Sequence, residues 1–179
     1  MSNTKPKHNF LPVHIAVLTV SDTRTPENDT SGDLLVERLT EAGHKLAART
    51  LLRDDTETVR EQFRTWIADP AIDVVISTGG TGLTGRDITV EAIEPLYEKK
   101  IDGFGELFRM LSYKTIGTST VQSRATAGVS GGTYLFALPG SPGACKDAWD
   151  MILKEQLDSR HRPCNFVELM PRLQEHLKA

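Results

Sequence analysis

A chain of 179 residues is long enough for one domain with a full core and short for two. With 39% hydrophobic and 25% charged residues, disorder is excluded as the default reading. Its 21 basic and 24 acidic residues give a formal charge of −3, which argues against a general binder of nucleic acid or anionic membrane, since such affinity rests on clustered Lys and Arg.

No apolar run approaches the roughly 20 residues of a membrane span. Met1 to Leu11 is polar and lacks the apolar stretch of a signal peptide. Cys145 and Cys164 stand far apart, with no second Cys or His in ligand spacing. His8, His14, His44, His161 and His176 are equally scattered and form no metal motif. Reduced thiols and a cytosolic location are expected, while a carboxylate-held Mg²⁺ stays open.

The segment Val13 to Val20 is apolar and β-branched, and Ser21-Asp22-Thr23 follows it, so it reads as a buried strand running into a polar loop. Thr30 and Asp33 have capping-box spacing ahead of Leu35, Leu39 and Ala42, and Gly43 is placed to end that helix. Leu46 to Leu52 reads as a second strand. Val59, Phe63, Trp66 and Ile67 mark the buried stripe of a second helix, stopped by Asp69-Pro70. Ile72 to Ser77 is a third strand, and it enters Thr78-Gly79-Gly80-Thr81-Gly82 directly. A helix is expected from Thr89, ended or kinked at Pro95, and another along Phe104, Phe108 and Leu111 up to Thr115. Gly131-Gly132 reads as a two-residue hairpin turn before Tyr134 to Leu138. After Pro139-Gly140-Ser141-Pro142 comes a helix carrying Cys145, Trp149 and Ile152. The expected divisions are a polar arm over 1–12, an α/β domain over 13–157 and a charged tail over 158–179.

Strands alternating with helices imply a mostly parallel sheet covered on both faces, and such sheets bind ligands beyond the carboxyl ends of their strands. The loops at Ser21-Asp22, Arg53-Asp54, Thr78 to Gly82 and Pro139 to Ser141 should therefore meet along one edge. Glycines at 79, 80 and 82 allow close backbone approach, and exposed N–H groups there would form an anion nest, with Thr78 and Thr81 adding hydroxyls. The loop is neither a Walker P-loop nor a G-x-G-x-x-G fingerprint, and a plain tight turn explains it about as well. Asp54 and Asp87 are the carboxylates placed to hold Mg²⁺ near phosphates. Spacing alone leaves alternatives: Asp54 with Glu57 would cap a helix, and Asp87 would cap the next one or pair with Arg86. Ser123, Arg124 and Arg109 offer contacts to phosphate. Cys145, on the Trp149 stripe, reads as core.

Several runs occur in one order: Thr19-Val20-Ser21-Asp22-Thr23, Thr30-Ser31-Gly32, Thr78 to Gly82, Arg86-Asp87-Ile88-Thr89-Val90-Glu91-Ala92, Gly103 to Glu106, Ser123-Arg124-Ala125 and Leu138 to Pro142. Together they resemble the MoaB/MogA family of molybdenum cofactor biosynthesis proteins over most of the chain. Arg162-Pro163-Cys164-Asn165-Phe166 and Gly117-Thr118-Ser119-Thr120 are similar to the MoaB branch in particular.

The resemblance implies a three-layer αβα, MogA-like fold that binds molybdopterin, a pterin bearing a dithiolene and a terminal phosphate. It implies a reaction in which that phosphate attacks ATP with Mg²⁺, giving adenylylated molybdopterin and pyrophosphate. By motif position Asp54 and Asp87 match the family's catalytic, metal-holding pair. Ser21, Asp22, Thr78, Gly79, Gly80, Thr81, Gly82, Ser123, Arg124, Pro139, Gly140 and Ser141 match its ligand-contacting segments. Trimers or hexamers are implied as well. The second reading is a protein of the same pathway that binds molybdopterin or nucleotide without turnover; the third, a structural interaction module. Retention of Asp54 beside Asp87 favours the enzyme.

Overall fold

The computed structural model describes residues 9–178. Of the arm expected over 1–12 and the tail over 158–179, residues 1–8 and Ala179 lie outside the described residues. The strands are β1 (His14–Val20), β2 (Lys45–Leu52), β3 (Val74–Thr78), β4 (Lys99–Lys100), β5 (Thr126–Ser130) and β6 (Thr133–Leu138). They form a six-stranded sheet in the order β2-β1-β3-β6-β5-β4. β2, β1, β3 and β6 are parallel, whereas β5 returns antiparallel to β6 and β4 antiparallel to β5. The return is the expected tight hairpin: Gly131 and Gly132 have φ of 56° and 86°, the pair of positive values that a type I′ turn requires.

Alternation along each strand feeds two cores, one on either face. Ile15, Val17, Val74, Ile76 and Phe136 pack with α1 (Thr30–Glu41), α4 (Asp102–Ile116) and α5 (Pro142–Ala148) through Leu35, Leu39, Phe108, Cys145 and Ala148, with Trp149 just past α5. Ala16, Leu18, Val75 and Leu135 pack with α2 (Thr56–Ile67) and α3 (Thr89–Ile93) through Val59, Phe63 and Ile93. The result is three layers, α on β on α. Cys145 is fully buried in the first core, and burial pushes its thiol up to about 11, so it is an inert core residue as expected.

Two helix starts differ from the spacing-based expectation by one residue. Asp29, not Thr30, caps α1, its carboxylate accepting from the Gly32 N–H at 3.0 Å. Asp55, not Asp54, caps α2, accepting from the Thr58 N–H at 2.8 Å. The second shift matters for the site, because it leaves the Asp54 carboxylate without a capping duty.

Register then sets where the loops emerge. Val20 lies opposite Leu52, Thr19 opposite Thr78, and Thr78 opposite Leu138. Four parallel strands thus end at one level, and their loops leave side by side.

Candidate functional site

Those loops open into a cleft of about 760 Å³. Ser21 and Asp22 reach it from β1, Asp54 from β2, Thr78 to Gly82 and Asp87 from β3, and Pro139, Gly140 and Ser141 from β6. Ser123 closes one side. Arg124 is not part of this lining: its guanidinium donates to the Gly82 carbonyl at 2.9 Å, pairs with Glu91, and faces a neighbouring groove. Arg109 lies in that groove too, donating to the Ala125 carbonyl at 3.2 Å.

The glycine loop is held open by its neighbours. Gly79 has φ of 98°, and a β-carbon there would strike the Val20 carbonyl. Gly80 has φ of 64°, and a β-carbon there would meet Thr89 Oγ1 and stand 3.0 Å from Asp54 Oδ1. These two positions are glycine for both backbone and space. Thr89, at the start of α3, pins the loop by donating its hydroxyl to the Gly79 carbonyl at 2.8 Å and its N–H to the Gly80 carbonyl at 2.9 Å. Among the described residues no acceptor takes the N–H groups of Gly80 and Thr81. The Thr78 hydroxyl, expected as a ligand donor, is instead spent on the Pro139 carbonyl at 3.0 Å, because Thr78 is fully buried. Ser141 caps α5 by accepting from the Ala144 N–H.

Three carboxylates, Asp22, Asp54 and Asp87, gather beside this loop. Asp87 does not cap α3, whose N-cap is Ile88. Its carboxylate accepts from the Thr84 N–H at 2.8 Å and the Thr84 hydroxyl at 2.7 Å. Burial works against its charge, but the bonds from Thr84 and Gly82 outweigh burial and hold its carboxyl below the ordinary range. Asp54 shows the opposite balance: burial first, then the Asp22 and Asp87 charges, raise its carboxyl above the ordinary range. Arg86 pairs with Asp22 rather than with Asp87, donating through Nε at 2.8 Å and Nη2 at 2.6 Å, and that bond lowers Asp22.

The side of the cleft formed by α4 escaped sequence reasoning. Phe108, Ser112 and Thr115, with Ser119 and Thr120 from the turn after the helix, line it. Only the 3.6-residue spacing of 108, 112 and 115 hinted at a shared face, and nothing local said which layer that face would meet.

At the floor of the cleft, Asp29 ties three elements together. It is 2% exposed and accepts from Thr19 Oγ1 at 2.7 Å, from Arg49 at 2.9 Å and from the Gly32 N–H. Burial opposes its charge, yet these donors hold its carboxyl below the ordinary range. Gly32 leaves no room for a side chain, since a β-carbon would stand 2.8 Å from Thr19 Oγ1. The neighbouring Ser31 donates to the Gly140 carbonyl at 2.8 Å, fixing the loop after β6.

Comparison with known proteins bears on the family and the fold. Residues 16–159 match the family described as "Probable molybdopterin binding domain". Molybdenum cofactor biosynthesis protein B of Escherichia coli K12 is 50% identical over 157 residues, covering 88% of this chain and 92% of that protein. A crystal structure of molybdenum cofactor biosynthesis protein B superposes with a TM-score of 0.83 at 39% identity, covering 92% of this chain and 98% of that one. The tungsten cofactor synthesizing protein MoaB from Pyrococcus furiosus superposes at 0.73 and 38% identity, covering 84% and 94%.

Proposed function

The chain belongs to the molybdopterin-binding family of molybdenum cofactor biosynthesis proteins, and on that premise we propose that it is a molybdopterin adenylyltransferase. In this reading a terminal phosphate oxygen of molybdopterin attacks the α-phosphorus of ATP. The bond from that phosphorus to the bridging oxygen breaks, and its electron pair leaves with pyrophosphate. The observation that carries the reading is that Asp54 stands beside Gly80 and Asp87 beside Gly82, two glycines of a loop with free N–H groups at the edge where four strands end.

Transfer of this kind needs positioning and charge neutralisation more than covalent help from the protein. The N–H groups of Gly80 and Thr81 would hold phosphate oxygens, and the Ser21 and Pro139 to Ser141 loops would frame the rest of the ligand. Among the described residues no cluster of three metal-ligating side chains exists. The pair Asp54 and Asp87 suits Mg²⁺, which keeps waters and takes one or two carboxylates together with substrate phosphates. Asp54 fits such a role, since its charge is disfavoured by burial and by Asp22 until a cation arrives. When bound, Mg²⁺ would neutralise the charge that builds on the reacting phosphates.

A cytosolic location is part of the same proposal; among the described residues no helix is long and apolar enough to cross a membrane, and both cysteines are free. So is self-association into trimers or hexamers, supported by the exposed apolar side chains of Leu107, Met110 and Tyr113 on α4. We assign residues 13–157 to the molybdopterin-binding domain.

The test is incubation with molybdopterin, ATP and Mg²⁺, assayed for adenylylated product and pyrophosphate. Formation of both establishes the enzyme. Tight molybdopterin binding with neither product would make it a carrier within the pathway, the reading left by relatives whose names state the pathway and not the reaction.

A further inference from the structure

The cleft is lined by more carboxylates than cations: Asp22, Asp29, Asp54, Asp87 and Asp147 against Arg24 and Arg86. Arg24 is turned to its own loop, donating to the Asn28 carbonyl at 3.2 Å. Arg86 is the cation beside the acidic end, and it is engaged there in an unusual way. It donates twice to Asp22 Oδ2 and once, at 3.2 Å, to the Asp54 carbonyl. Asp22 Oδ1 in turn accepts the Asp54 N–H at 3.3 Å. The pair therefore grips the Asp54 backbone from both sides, linking the loops after β1, β2 and β3.

Yet this clasp is a surface one. The Arg86 side chain is 69% exposed and that of Asp22 36%. Exposed ion pairs are weak and exchange readily, whereas a polyphosphate offers a guanidinium two parallel acceptors and more charge than one carboxylate.

We propose that Arg86 is the polyphosphate ligand of this cleft, held in reserve by Asp22, and that its transfer from Asp22 to the β- and γ-phosphates selects a nucleoside triphosphate over a monophosphate. The proposal rests on the nucleotide-binding reading above and adds a residue and a selection rule to it. Asp22 acts as a competitor for the guanidinium. When Arg86 leaves, the Asp54 carbonyl loses its donor, so arrival of the triphosphate is felt at the Asp54 loop.

Calorimetric titration of the full chain with MgATP, magnesium pyrophosphate and AMP tests this. Arg86→Gln should weaken MgATP and pyrophosphate about tenfold or more while leaving AMP within about twofold, and Arg86→Lys should recover part of the loss because it restores charge without the fork. Asp22→Asn keeps an acceptor for the Asp54 N–H but removes the competing charge. It should tighten pyrophosphate roughly threefold, and only where Arg86 is present. Native MgATP affinity in Arg86→Gln overturns the proposal while the nucleotide reading survives. Equal losses for MgATP and AMP overturn it too, reducing Arg86 to a loop brace. No tightening in Asp22→Asn removes the reserve role. A wild-type chain that binds molybdopterin but not MgATP defeats the nucleotide reading itself, and this proposal with it.

Discussion

Thr89 fastens Gly80 from two directions, its N–H donating to the Gly80 carbonyl at 2.9 Å and its hydroxyl oxygen occupying the space a Gly80 β-carbon would need. Gly80→Val would have to abandon φ of 64° and push Thr89 and Asp54 aside. A left-handed backbone costs a branched residue about 1–2 kcal/mol, and the displaced N–H groups would no longer converge. We expect a folded variant whose molybdopterin affinity falls about tenfold or more, read by calorimetric titration. Native affinity would mean that the loop does not hold the ligand.

Much of the fold was legible because its signals are local. Val13 to Val20 and Ile72 to Ser77 are short β-branched runs ending in polar or glycine loops, and Gly131-Gly132 admits few conformations other than a hairpin turn. The caps were misplaced by one residue, since Asp29-Thr30 and Asp54-Asp55 each offer two adjacent oxygen-bearing side chains and only φ and ψ decide between them. β4 went unseen: two lysines at a sheet edge carry no hydrophobic period. Within the site, residues at the end of a strand signal could be read, and contacts that cross from loop to loop could not. Asp54 and Asp87 are each next to a strand or glycine signal, whereas the Asp22–Arg86 pair joins residues 64 apart in sequence.

Asp29 provides a stability prediction independent of ligand. Asp29→Ala removes the cap of α1 and the buried acceptor of the Thr19 hydroxyl, while Arg49, 30% exposed, keeps its pair with Asp33 at 2.7 Å. Losing the cap and a buried hydrogen bond together costs about 2 kcal/mol, or roughly 4–8 °C in a chain of this size. Asp29→Asn keeps the cap and should cost less. The carboxyl is depressed in the fold, so its contribution is present above its ordinary value of 3.8 and is lost as pH falls through the lower folded value. Thermal melts should therefore converge for wild type and Asp29→Asn in strong acid. Melts that stay apart there would assign the difference to packing.

Association should run through α4. Met110 and Tyr113 are each 58% exposed, an unusual setting for large apolar side chains on one helix. Light scattering should find the wild type as a trimer or hexamer and Met110→Glu with Tyr113→Asp shifted to monomer, since a buried unpaired charge is costly. A wild-type monomer at micromolar concentration would remove the assembly from the proposal. An intact oligomer in the double variant would move the interface elsewhere.

Asp54 separates enzyme from carrier, and the structure sharpens the test by giving its capping duty to Asp55. Asp54→Asn preserves shape while removing charge beside the glycine loop. If the carboxylate helps hold Mg²⁺ at the reacting phosphates, turnover should fall about a hundredfold, on the order of 3 kcal/mol in the barrier. Molybdopterin affinity should change little, because the proposed reaction puts the residue on the nucleotide side of the cleft. Stability should move the other way. Burial and Asp22 raise the folded carboxyl above its ordinary value of 3.8, so the folded chain holds a proton that the unfolded chain releases, and stability declines as pH rises through that window. Asn carries no such penalty. Asp54→Asn should thus melt above wild type at neutral pH, with the gap closing below about pH 4. A variant that is slower yet more stable is what a carboxylate kept for function at the expense of the fold produces. Wild-type turnover in Asp54→Asn would strip the residue of its catalytic role. A lower melting point at neutral pH would show instead that its charge stabilises the ligand-free loop.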